Sequence, residues 1–158
     1  MGSRLGGRVR ACKDRGQRRW PMSLDRFVSA QDGVYPTALS EITAGRKESH
    51  WMWFIWPQVR SLGRSQRALH YGLNGLEEAK SYLAHPILGP RLVEISKAML
   101  AHQDIPSEDI LGPVDALKLR SCATLFRAVP GADPVFDALL VAFYGGTPCP
   151  ETERILAA

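Results

Sequence analysis

Cysteine is scarce: Cys12, Cys122 and Cys149 are the whole complement of a 158-residue chain. Three scattered thiols build neither a disulfide framework nor a zinc site. The histidines, His50, His70, His85 and His102, include no His-x-x-x-His pair, so no metal is expected. Apolar runs are short, and none approaches the roughly 18 residues that a membrane-spanning helix requires. No Gly-rich loop ends in Gly-Lys-Ser/Thr, no Gly-x-Gly-x-x-Gly follows a strand, and no Gly-x-Ser-x-Gly elbow occurs. These absences remove the enzyme classes that such motifs announce, and no cofactor is expected. Hairpin signals are missing too, because Asn74-Gly75 is flanked by helical patterns.

What is present is an ordinary globular composition, 45% hydrophobic and 23% charged. That excludes wholesale disorder. The length suits one domain of roughly 100–200 residues. The formal charge of +4 is unevenly distributed. Residues 1–22 carry seven bases against Asp14, and the remaining residues carry two more acids than bases. Residues 1–22 therefore read as a disordered basic tail, since so few apolar groups cannot offset the entropy of ordering. Met22-Ser23-Leu24 reads as an alternative start, with Ser23 placed to cap a helix. Without an apolar leader stretch, a cytoplasmic location is expected.

From residue 23 to 158 the periodicity is helical. Leu24, Phe27 and Val28 share a face, as do Ala38, Leu39 and Ile42 before Gly45. Ser65 is placed to cap a short helix over Gln66 to Tyr71. Leu76, Ala79, Tyr82 and Leu83 mark another helix, and Leu92, Ile95, Met99 and Leu100 a long one from about Gly89 to His102. Ser107 is read as a cap, Gly112-Pro113 as an opening, and Asp115 to Val129 as a helix ended by Gly131. Asp133-Pro134 precedes the most apolar helix, which Gly145-Gly146 ends, and Pro150 to Leu156 adds a last one. The prediction is an all-α single domain of seven to nine helices, several of them short.

The densest cluster runs from Arg46 to Gln58 and holds three of the four tryptophans. Trp51 and Trp53 could stack on a base, while Arg46, Lys47 and Arg60 supply positive charge for a phosphate. Ser49 is placed to cap a helix whose free N–H groups would favour an anion. The competing reading is packing, because tryptophan is large and core-forming. His50 is the candidate for proton transfer near neutral pH. His85, before Pro86, reads as a structural cap, and Cys122 as buried filler. Lys118, on a helix face with Ser121, completes the candidate set as an anion contact. Glu77, Glu78 and Glu94 read as solvated helix faces.

Several of these stretches carry a resemblance. Leu24-Asp25-Arg26-Phe27-Val28, the segment Ala44-Gly45-Arg46-Lys47-x-Ser49-His50-Trp51-Met52-Trp53-Phe54-Ile55-x-Pro57-Gln58, Tyr82-Leu83-x-His85-Pro86, and Asp115-x-x-Lys118-Leu119-x-Ser121 resemble the bacterial domain-of-unknown-function family numbered 1810. The likeness spans nearly all of residues 23–157. It implies a compact helical domain of the mycobacterial hypothetical-protein type, with no established activity. Some members carry the label calpastatin; that inhibitor is a long disordered repeat protein, and these residues read as a short globular chain.

Two functions remain in view. The first is binding of an anionic small ligand, a nucleotide or sugar phosphate, through Arg46, Lys47, His50, Trp51, Trp53, Arg60 and Lys118. The second is a helical protein-interaction module without catalytic activity, marked by an exposed apolar patch. Nucleic acid would bind only through the basic tail.

Overall fold

Apolar residues at three- and four-residue spacing wind residues 23–158, those described by this computed structural model, into helices. The expectation for residues 1–22 lies outside the described residues. In chain order the helices are α1 (Asp25–Gln31), α2 (Tyr35–Thr43), α3 (Met52–Ile55), α4 (Gln66–His70) and α5 (Leu76–Ala84). They continue with α6 (Leu88–Leu100), α7 (Ser107–Leu111), α8 (Pro113–Arg127), α9 (Val135–Tyr144) and α10 (Pro150–Ala157). A 3-10 turn forms at Arg60–Leu62. The domain is all-α, with seven helices of at least seven residues. The brief helices α3, α4 and α7 bring the count among the described residues to ten. The extended contact described is one parallel bridge, Val59 to Leu73.

Boundaries follow local chemistry. The Ser65 hydroxyl accepts the Ala68 N–H at 3.1 Å and caps α4. His85 Nδ1 accepts the N–H groups of Ile87 and Leu88, which opens α6 where Pro86 prevents α5 from continuing. Asp133 Oδ1 accepts the Val135 N–H at the start of α9. Two expected caps are corrected. Ser107 is itself the first residue of α7, after Pro106. Ser49 lies three residues ahead of α3 and caps nothing; its hydroxyl is bound to Glu41.

The core is organised by α8, which packs against α5, α7, α9 and α10, while α6 lies against α2, α5 and α9. More than half of α8 is buried, from Ala116 to Phe126. A chain of rings ties distant helices together: Phe27 meets Tyr82 at 5.1 Å, Tyr82 meets Phe126 at 5.4 Å, and Phe126 stacks on Phe136 at 5.6 Å. Each such pair contributes about 0.5–1.5 kcal/mol beyond its buried area. Cys122 is buried in α8, as expected of a small apolar filler.

Polar side chains inside the fold hold loops rather than ligands. Buried Arg26 donates to the carbonyls of Ser23, His70 and Gly72 and pairs with Glu78 at 3.4 Å. Gln31 donates to the Phe54 carbonyl and to Tyr82 Oη. The expectation of solvated acids is therefore corrected for Glu78, which is shielded against Arg26; Glu94 stays exposed, as expected, while accepting the Tyr35 hydroxyl at 2.5 Å. Both lie opposite donors that another element delivers.

Candidate functional site

The Arg46–Gln58 stretch is positioned by the end of α2. Gly45 adopts φ +82°, which glycine tolerates without strain. Its N–H reaches the Ile42 carbonyl, and the Arg46 N–H reaches the Glu41 carbonyl, closing α2 with a Schellman turn. The chain then runs extended, and its side chains alternate. Arg46, Glu48 and His50 are exposed, while Lys47, Ser49 and Trp51 turn inward.

Glu41 is the anchor for the inward set. Its carboxylate accepts from the Glu48 N–H at 2.8 Å, the Ser49 N–H at 3.0 Å, the Ser49 hydroxyl at 2.5 Å and Trp51 Nε1 at 2.9 Å. Partial burial would raise this carboxyl, but the four donors outweigh burial and hold it down at about 2. Trp51 is wholly buried, and so is Trp56, whose Nε1 donates to Ser96 at 3.0 Å. The two indoles lie 5.8 Å apart. Trp51 thus has no face to offer a ligand, and its expected stacking role is corrected: Glu41 draws its N–H inward, and the core covers the rest.

Trp53 stands differently. It is half-buried, and two cations lie over its ring: the Arg67 guanidinium at 5.0 Å and the Lys118 ammonium at 5.2 Å. Lys118 also pairs with Asp115 at 3.5 Å, and Lys47 meets the other Asp115 oxygen at 3.0 Å. Lys47 further donates to the Ser49 carbonyl and lies 4.9 Å from the Trp51 ring. The fold therefore joins Lys47, Asp115, Lys118, Trp53 and Arg67 into one continuous cluster.

Arg46 and His50 are not drawn into it. Their side chains project outward and make no hydrogen bond or ion pair among the described residues. Parity along the extended segment turns Lys47 toward Asp115 and sends Arg46 outward. Arg60 serves as a brace, donating to the Leu69 carbonyl at 2.8 Å and to Asn74 at 2.5 Å. Tyr71 anchors its loop against Phe54, Phe27 and His70.

Arg67, Asp115 and Glu41 were missed as participants. Asp115 had a signal, its three-residue spacing from Lys118 on one helix face. Arg67 had none, since only tertiary packing brings α4 over Trp53. Beneath the cluster, Trp53, Trp56, Gln58, Ala68, Tyr71 and Lys118 line a crevice of about 10 Å³, the size of one water. A far larger open cleft, about 630 Å³, lies along α6 and the Gly131–Asp133 link and shares no lining residue with the cluster. Its walls are mostly apolar, with few convergent polar groups, so volume alone does not make it the better candidate. Among the described residues no group of His, Cys, Asp and Glu is placed to hold a metal ion, and no helix is long and apolar enough to cross a membrane.

The crystal structure of the conserved hypothetical protein Rv1873 from Mycobacterium tuberculosis shares 47% identity with this chain. The match covers 85% of this chain and 96% of that one, with a TM-score of 0.83. No curated protein matches. The model of the family described as "Protein of unknown function (DUF1810)" matches residues 21–156, and the chain belongs to that family.

Proposed function

We propose that the domain binds an anionic small molecule, of the nucleotide or sugar-phosphate class, on the Trp53 side of the Arg46–Gln58 motif. The observation that carries this reading is the pair of cations on one partly exposed indole, Arg67 and Lys118. A phosphate between them gains two charge-assisted hydrogen bonds, and the indole edge beside it accepts a base or sugar face. Asp115 is shared between two lysines, so the Lys47–Asp115–Lys118 group keeps a net positive charge. Because the crevice has room for only about one water, the ligand lies on the surface rather than in a deep pocket. His50 has no contact with this cluster, and no catalytic step is assigned to it.

A thermal-shift series tests the reading, with ATP, ADP-ribose and glucose 6-phosphate against wild type, Arg67→Gln, Lys118→Gln and Arg46→Ala. Ligand at 100 times its Kd adds about 2.7 kcal/mol. In a domain of this size that raises Tm by several degrees. The shift is expected to survive Arg46→Ala and to vanish in Arg67→Gln and Lys118→Gln. Loss only in Arg46→Ala refutes the placement.

No shift with any compound favours the second reading, a protein-interaction module. Its support is the exposure of Val114 and Leu117, 65% and 62%, one helical turn apart on α8 and next to Lys118.

A further inference from the structure

The crevice beneath Trp53 includes a polar group that the pair of cations does not use. Gln58 follows the buried Trp56-Pro57 step, and its backbone is fixed. Its carbonyl accepts the Leu73 N–H at 2.9 Å, and the Arg60 N–H donates to the Leu73 carbonyl at 2.7 Å, around the Val59–Leu73 bridge. The half-buried Gln58 carboxamide, by contrast, makes no hydrogen bond to another group among the described residues. Gln58 lines the crevice with Lys118 and the aromatic residues Trp53, Trp56 and Tyr71. The Trp56 N–H is taken by Ser96, and the Lys118 ammonium is paired with Asp115. A carboxamide offers two donors and an acceptor, so an occupant of the crevice that can both donate and accept suits it best.

Size limits that occupant. A volume of about 10 Å³ admits one water-sized group. The wall at Gly72 is backbone in close approach: an added Cβ there would fall 2.3 Å from Arg60 Cα and 2.9 Å from the Ala68 carbonyl oxygen. A nucleobase is far too large to enter. It is also disfavoured on the indole itself. A stacked ring centres about 4.5–7 Å from its partner's centre. The Arg67 guanidinium at 5.0 Å and the Lys118 ammonium at 5.2 Å already hold positions in that shell. A hydroxyl group fits on both counts, because it is the size of a water and both donates and accepts.

Resting on the anion-binding reading above, we infer that the ligand is a phosphorylated sugar or polyol and that Gln58 is the residue that selects it. The phosphate meets Arg67 and Lys118, and a hydroxyl of the same molecule enters the crevice against the Gln58 carboxamide. The hydroxyl donates to the amide oxygen or accepts from the amide NH₂, which gives Gln58 the partner that the crevice walls withhold. A nucleotide then binds through its phosphate and ribose, and its base adds nothing.

Calorimetric titration of the full chain with inorganic phosphate, glucose 6-phosphate, ribose 5-phosphate and AMP tests this. Both sugar phosphates are expected to bind about three- to tenfold tighter than inorganic phosphate, the worth of one neutral hydrogen bond. AMP is expected to match ribose 5-phosphate. Gln58→Leu should bring the ratio of glucose 6-phosphate to inorganic phosphate affinity close to unity, and Gln58→Asn, whose carboxamide is set back by one methylene, should lower it. A merely structural role for Gln58 would weaken both ligands together and keep the ratio. The wild-type ranking stands without any variant. AMP binding about tenfold or more tighter than ribose 5-phosphate, or a sugar preference that persists in Gln58→Leu, overturns the inference and leaves the anion site standing. Failure of all four compounds to bind, or binding unchanged by Arg67→Gln and Lys118→Gln, overturns the anion reading and this inference with it.

Discussion

Replacing Glu41 by glutamine removes the acceptor around which residues 48–51 are folded. The carboxylate takes four hydrogen bonds, and glutamine offers one acceptor oxygen and an NH₂ group that faces donors. A carboxyl held near 2 when folded, against 4.5 as an ordinary reference, would contribute about 3 kcal/mol if fully shielded. It is partly open to water, so about 1–2 kcal/mol is expected at neutral pH. For a domain of this length that lowers Tm by about 3–6 °C.

The sign fixes the pH window. A depressed folded-state pKa stabilises above the unfolded value, and that stability is lost as pH falls from about 4.5 to about 2. Urea unfolding of wild type and Glu41→Gln, followed by tryptophan fluorescence from pH 7 to pH 2.5, measures both effects. The two curves should converge as the pH falls through this window. A variant within about 0.5 kcal/mol of wild type at pH 7, or a gap that persists unchanged in acid, refutes the reasoning.

Trp51→Ala should cost about 3–5 kcal/mol, because a wholly buried indole and its hydrogen bond to Glu41 are lost. Trp53→Ala should cost about 1–2 kcal/mol, since that ring is partly in solvent already; denaturant midpoints give the order, and its reversal contradicts the assignment of core and surface. Gly89→Ala should destabilise by about 1–3 kcal/mol despite alanine's better helix propensity. A Cβ there would fall 2.1 Å from the Leu83 carbonyl oxygen, so α5 and α6 must separate. A rise in the urea midpoint at constant m would show that this approach is looser than described.

Much of the architecture was legible because helices are local. Gly45, Gly112, Gly131 and Gly145 stop or open helices through positive φ values that need no distant partner. His85 was readable as a cap for the same reason, since its acceptors and donors lie two and three residues apart. Helix ends outside such signals drifted by a residue or two: the long helix expected from about Gly89 to His102 runs Leu88–Leu100. Ser49 failed as a cap because α3 begins only at Met52, and its hydroxyl instead donates to Glu41, eight residues back and on another element.

The site was legible only as a neighbourhood. The sequence by itself determined an all-α domain, the family, and the segment where tryptophan and positive charge concentrate. Tertiary structure decided which of those residues face one another. Along an extended segment adjacent side chains point opposite ways, and the parity is set by what waits on the inner side. Glu41 on α2 and Asp115 on α8 take Ser49, Trp51 and Lys47, which leaves Arg46 and His50 outside. The packing of α4 and α8 brings Arg67 and Lys118 to Trp53, residues that lie 14 and 65 positions along the chain from it. Periodicity carries local geometry, but such meetings depend on long-range packing that no local pattern encodes.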